Sequence, residues 1–227
     1  LGVLGLSVLL GSTLPNTGAA QSTSDGIPIE VGGLLRTGFR AEPGSSGEAD
    51  GFDVFDARFS LTGEIGIVFD YFAQAEYDPE DDTFQLLDAI ARIPVIPEVE
   101  VSFGLFRPSF GLEALQDKRD LTFLERAQAT TAIAPGRQVG AAASGESLDG
   151  RLTYGAGLFN GNGRTLENDG DNYMFSARAQ FNSIGTIAFY DDVVLQVGAS
   201  FAYSSDTAAE LGQGTITGDP AAAPELT

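Results

Sequence analysis

The chain has no cysteine, no histidine and no tryptophan among its 227 residues. Without cysteine it can build no disulfide framework, no thiolate metal site and no cysteine nucleophile. Without histidine it lacks a Ser-His-Asp triad, an imidazole base and histidine-ligated zinc or iron. Nothing in it points to an enzyme, and neither a cofactor nor a bound metal is expected. Positive charge is scarce as well: 12 Lys and Arg stand against 32 Asp and Glu, for a formal net charge of -20. That balance argues against binding nucleic acid through a general basic surface.

Long apolar runs are also missing. Leu1 to Leu14 is uncharged, but a helix needs roughly 20 apolar residues to cross a bilayer. The run leads into small residues up to Gln21, the pattern a signal peptidase reads. Residues 1–20 are therefore expected to be a partial signal peptide cut near Ala20. No later stretch resembles a transmembrane helix. An exported chain of this kind can enter a membrane only as a closed β-barrel, in which every backbone group is hydrogen-bonded.

What the chain does have is glycine, at 29 residues, and 16 Phe with 6 Tyr, a composition that leans towards strands. Period-two alternation dominates after the leader. Between Glu64 and Tyr77 the odd positions Ile65, Ile67, Phe69, Tyr71, Ala73, Ala75 and Tyr77 are apolar. Glu64, Asp70, Gln74 and Glu76 alternate with them. Upstream, Phe55, Ala57, Phe59 and Leu61 oppose Asp56, Arg58, Ser60 and Thr62. Only Gly63 separates the two runs, which predicts a tight hairpin there.

The same reading places nine strands at 29–40, 53–62, 64–77, 83–93, 98–107, 137–145, 151–160, 171–181 and 193–203. Their length suits tilted membrane strands of ~9–11 residues. Short connections at Gly63, 94–97 and 146–150 alternate with longer polar ones at 41–52, 78–82, 108–136 and 161–170. Outer-membrane barrels connect their strands in this way. The segment 182–192 breaks the pattern by being long on the short side. Aromatics near strand ends (Phe39, Tyr71, Tyr77, Tyr154, Phe181, Phe201 and Tyr203) suit an interfacial girdle. Bacterial barrels have even strand counts, so nine strands followed by a loop-like tail imply that C-terminal strands are missing. Residues 21–227 then form the N-terminal part of an all-β, antiparallel transmembrane barrel of the porin type.

Parity assigns Arg36, Arg40, Arg58, Arg92, Arg151 and Arg178 to the lumen side, together with Glu30, Asp56, Glu64, Asp70, Glu76 and Asp88. Most of the net charge lies elsewhere. The connections 41–51, 78–82 and 160–171 hold ten acids and one base, and the tail from Ser204 holds four acids and no base. An acidic chain is therefore not by itself a cation-selective pore, because side chains at the narrowest point decide selectivity. Asp78 to Asp82 lacks the ligand spacing and glycine of a calcium loop and is expected to be a solvated loop. Asn160 to Asp171, whose Gly-Asn-Gly run also invites a calcium-loop reading, is expected to be a flexible hairpin loop.

Five segments carry a family likeness: Gly104-Leu-Phe-Arg-Pro-Ser-Phe-Gly-Leu-Glu113, Arg119-Asp-Leu-Thr-Phe-Leu-Glu-Arg126, Ala134-Pro-Gly-Arg-Gln-Val-Gly140, Tyr154-Gly-Ala-Gly-Leu-Phe-Asn-Gly-Asn-Gly163 and Asn168-Asp-Gly-Asp-Asn172. In this order they resemble the phosphate-selective porin O and P family, over roughly Gly26 to Tyr203. The resemblance implies a 16-stranded, usually trimeric barrel in the outer membrane, with a long third loop folded into the lumen. The segment 108–136 falls where that loop should be.

The resemblance thus implies passive diffusion of small hydrophilic solutes, anions such as phosphate among them, with membrane lipid and further copies of the chain as partners. Pore-lining candidates are Arg36, Arg40, Arg58 and Arg178 on the wall, with Arg107, Lys118, Arg119 and Arg126 at the constriction. Arg119 and Arg126 have a second reading, as partners of Asp120 and Glu125 that fix the loop's shape. The rival function is a non-channel barrel or surface-binding protein whose acidic outer loops hold a partner.

Overall fold

The computed structural model describes residues 29–40, 51–66, 68–78, 82–123, 126–164, 167–168, 170–171, 173–187, 190–204, 208–211 and 214–217. The expected leader lies outside the described residues, as do the side chains of Arg40, Phe55 and Arg119. The chain is all-β, with antiparallel strands that pair between chain neighbours. No helix among the described residues is long and apolar enough to cross a membrane, which says nothing of crossing by strands. Two compact units divide between Leu87 and Asp88.

The first unit holds β1 (Ile29–Arg40), β2 (Gly51–Ile65), β3 (Phe69–Asp78) and the start of β4 (Thr83–Ile96). The bounds of β1 are those that alternation predicts. The β2–β3 turn is not at Gly63. β2 runs through Gly63, which pairs with Tyr71, and turns at 66–68. Gly66 takes φ +62, a left-handed conformation that favours glycine, and Val68 N–H donates to Ile65 O at 3.3 Å. Ile65 pairs with Phe69, so residues of one parity share a face on both strands.

A register shift at Arg36/Thr37 lets Arg36 pair with Asp56 while Thr37 pairs with Val54. The extra residue opposite this step is Phe55, as in a β-bulge. Beyond it the outward face of β2 passes to even numbers. Phe52 meets Phe39 edge to face, with ring centroids 5.3 Å apart.

The second unit holds the rest of β4, then β5 (Val99–Phe106), β6 (Gln138–Ser147), β7 (Leu152–Phe159), β8 (Met174–Ile187) and β9 (Tyr190–Ser204). The segment 182–192 is not a long connection. β8 and β9 extend through it to Ile187 and Tyr190, which pair with each other. This restores the alternation of short and long connections. A hairpin of β10 (Ala208–Leu211) and β11 (Gly214–Thr217) stands where the sequence reads as tail.

Register carries the two-faced pattern across β6 to β9. Gly140 pairs with Phe159, so the inward positions change from even in β6 to odd in β7. Gly157 pairs with Ser176, which returns them to even in β8. Leu158, Phe175, Phe181, Leu195, Val197, Phe201 and Tyr203 are exposed on the other face. The inward face also carries an apolar cluster, which alternation does not anticipate. Phe106, Ala142, Phe159 and Met174 are buried there, with Ile90 packed against them. The Phe106 and Phe159 rings meet at 5.3 Å, near perpendicular. Burial of each large side chain stabilises by about 1.5–3 kcal/mol.

Candidate functional site: the inward face and the long connection

The connection between β5 and β6 is not an open loop. It carries α1 (Leu112–Leu115), a 3-10 turn (Lys118–Asp120) and α2 (Gln128–Ile133), and its charged residues bind its own backbone. Arg107 Nη1 donates to the carbonyls of Ala114 at 3.1 Å and Gln116 at 3.3 Å. Arg126 Nε donates to Glu113 O at 3.1 Å, and its Nη2 to Gln116 O at 2.5 Å. Both guanidiniums thus bind carbonyls in and just beyond α1, where Glu113 O also accepts the Gln116 N–H at 3.3 Å.

Glu113 draws the second helix in. Its carboxylate accepts the Ala127 backbone N–H at 3.0 Å and the Thr130 hydroxyl. The Thr130 hydroxyl and the Ala127 N–H hold the Glu113 carboxyl below its ordinary range, with Arg126 adding to the effect. Arg126 therefore does fix the loop's shape, but through carbonyls 10 and 13 residues upstream. Glu125, its expected partner, lies outside the described residues.

The wall arginines are mostly matched to acids. Arg36 forms an ion pair with Asp56. Arg58 lies 2.8 Å from Glu76 and 3.5 Å from Asp56. Arg36 faces Asp56 across β1–β2 and Arg58 faces Glu76 across β2–β3, so register builds a ladder of alternating charge. In the second unit Arg137 binds Asp88 through two hydrogen bonds of 3.0 and 2.9 Å. Arg92 lies 3.7 Å from Glu100.

Arg178 differs. Among the strand arginines whose side chains are described, it alone has no carboxylate partner. Its Nη2 donates to Gln180, and its buried Nη1 has no hydrogen-bond partner. Lys118 is half-buried in the 3-10 turn.

One row crosses the inward face at the level of Arg178. Glu100 pairs with Ser144, Ser144 with Gly155, Gly155 with Arg178, and Arg178 with Ser200. Such partners project to the same face of an antiparallel sheet. A cleft of about 850 Å³ opens beside the row, lined by Glu98, Glu100, Ser109, Leu115, Ser144 and Arg178 among others. Ser109 and Leu115 belong to the long connection, so that segment lies against the inward face. No cluster of acids suited to a metal is present among the described residues.

An apolar outward face, a charged and hydroxyl-bearing inward face and a long connection against the latter make up the architecture of a pore wall. The comparison with protein families agrees: residues 30–219 match the model for phosphate-selective porin O and P. The chain belongs to this family. None of the curated proteins matches it. The porin family is one of channels rather than enzymes. The family supplies no charge inventory for this chain. Here Arg36, Arg58 and Arg92 are held against carboxylates, and Arg107 and Arg126 serve the fold of the connection. Parity groups Arg36 with Arg58 and Arg92 with Arg178 but does not give their partners, which depend on register between strands. Arg151 falls in the turn before β7, and the side chain of Arg40 lies outside the described residues.

Proposed function

We propose that the chain is part of an outer-membrane porin, exported by the leader at residues 1–20, cut near Ala20, and assembled as a trimer of 16-stranded barrels. Small hydrophilic solutes diffuse through its water-filled lumen, with a weak preference for anions such as phosphate. The observation that carries this reading is the long β5–β6 connection lying against the charged inward face, opposite an exposed apolar face. A soluble sandwich would bury both sheets' inner faces and would leave no role for such a connection.

The preference is weak because Asp56, Glu76, Asp88 and Glu100 hold wall arginines in pairs and the further lumen-side acids Glu30, Glu64 and Asp70 oppose an anion. Arg178 is the favourable exception on the strands, and the guanidiniums of Arg107 and Arg126 add positive charge within the connection. Acidic outer connections act less on the lumen, since screening reduces their field beyond ~8 Å at physiological salt. Reversal potential of the complete protein in a planar bilayer, under a salt gradient, tests the reading. A small anion-selective potential is expected, and Arg178→Gln should reduce it. A clear cation preference would overturn the anion assignment and leave the porin fold standing. Inserted protein that passes no ions would overturn the channel.

A further inference from the structure

We infer that Gly155, Ser200 and Ser109 form a seat that holds the long β5–β6 connection against the wall at the level of Arg178, and that this seat sets the width of the channel. The inference rests on the channel reading and adds the residues that position its narrowing.

The first contact depends on a missing side chain. A Cβ on Gly155 would stand 2.6 Å from Ser109 Oγ and 3.2 Å from Ser109 Cβ. Glycine at 155 thus leaves the space that Ser109 occupies against β7, and a large side chain there would have to displace it. The second contact is a hydrogen bond between residues 89 positions apart, in which Gly111 N–H donates to Ser200 Oγ at 3.0 Å. Gly155 and Ser200 flank Arg178 in the same cross-strand row.

Adjacent strands are about 4.8 Å apart, so the segment 109–111 passes from β7 over β8 to β9 and crosses above Arg178. Pro108, which leads into it, is fully buried. Beyond the seat, Arg107, Arg126 and Glu113 bind the two short helices into one body. Release at the seat therefore moves the whole connection and not a single side chain.

The test uses the complete protein in planar bilayers, with three variants. Ser200→Ala removes one hydrogen bond and should lower the ratio of seated to released loop about fivefold, as the typical worth of such a bond implies. The record should show more frequent excursions to larger conductance. Gly155→Leu should displace the loop and change the mean conductance. Ser109→Cys combined with Gly155→Cys places two Cβ atoms about 3.2 Å apart, close to the range of ~3.5–4.5 Å for a disulfide. The 227 residues hold no native cysteine, and a cross-link mapped to the peptides holding residues 109 and 155 reports this contact. The oxidised pair should conduct like the wild type, and its reduction should raise current noise.

Wild-type conductance and noise in both Ser200→Ala and Gly155→Leu would overturn the inference, as would failure of the folded double variant to cross-link. If Gly155→Leu does not insert, Ser200→Ala and the cross-link decide. A wild-type protein that inserts without conducting defeats the channel reading instead, whereas the cross-link still reports on the seat.

Discussion

Replacing Asp56 by Ala should be the most damaging truncation among the acids of the β1–β3 ladder. Asp56 is 1 % exposed, Arg36 9 % and Arg58 7 %. Asp56 is the carboxylate paired with Arg36, and it also lies 3.5 Å from Arg58. Removing it leaves the guanidinium of Arg36 in a buried place without that counter-charge. Breaking one side of a buried pair costs about 3–5 kcal/mol. Glu76 makes the informative control. Its side chain is 25 % exposed, and its loss leaves Arg58 still beside Asp56. Loss of a hydrogen bond to a charged group predicts about 1.5–3 kcal/mol there, nearer the lower end because of the exposure.

Replacing both Arg36 and Asp56 by apolar residues of similar volume should be far milder than Asp56→Ala alone, since a buried pair adds little beyond well-packed apolar contact. Denaturant unfolding of the refolded complete protein in lipid vesicles measures all three variants. An Asp56→Ala variant less destabilised than Glu76→Ala would refute the ladder as a buried, mutually dependent set of charges.

Two further outcomes follow from the same geometry. The Glu113 carboxyl is held below its ordinary value, 4.5, by Thr130 and Ala127, so it ties the loop fully above that value and releases it as pH falls through the lowered one. Current noise should therefore stay constant from neutral pH down to the ordinary carboxylate range and rise only below it. In Glu113→Gln the noise should already be raised at neutral pH, and an acid threshold unchanged in that variant would exclude Glu113 as the cause. On β9, Phe201→Arg puts a charge on the outward face and should cost about 2–4 kcal/mol at mid-bilayer depth. Gln196→Arg faces inward and should be tolerated, and equal losses in vesicle unfolding would contradict the assigned faces.

Alternation made the strands legible because one backbone period governs both the side chains and the sheet. That is why β1 falls on its expected bounds and why Leu152, Tyr154, Ala156 and Leu158 share the outward face of β7. The same regularity hid the β2–β3 turn. Gly63 and Gly66 both interrupt the run, and Ile65 pairs with Phe69, so parity reads unbroken through either position. The end of β8 was obscured for the opposite reason: its register shifts between Gly185 and Ile187, and the alternation fails just where the strand continues.

The site was less legible than the wall. Parity puts Arg36, Asp56, Arg58 and Glu76 on one side, but their pairing requires the inter-strand register and the step opposite Phe55. The fold of the long connection rests on Arg126 reaching carbonyls at 113 and 116, a contact to which periodicity is blind. Gly155 carried no signal of its own among 29 glycines. Its role appears only once β7 and Ser109 are placed together.

On the porin reading, one face of this sheet meets lipid and the other meets water. Single cysteines along β9 test this, since the 227 residues hold none of their own, with the complete protein lacking any added cysteine as background. Cysteines at 195, 197, 199 and 201 should react with a membrane-soluble thiol reagent, and those at 196, 198, 200 and 202 with a charged aqueous one. Strict alternation is expected in the membrane-inserted complete protein. Uniform aqueous labelling at all eight positions, or the inverted pattern, would contradict it.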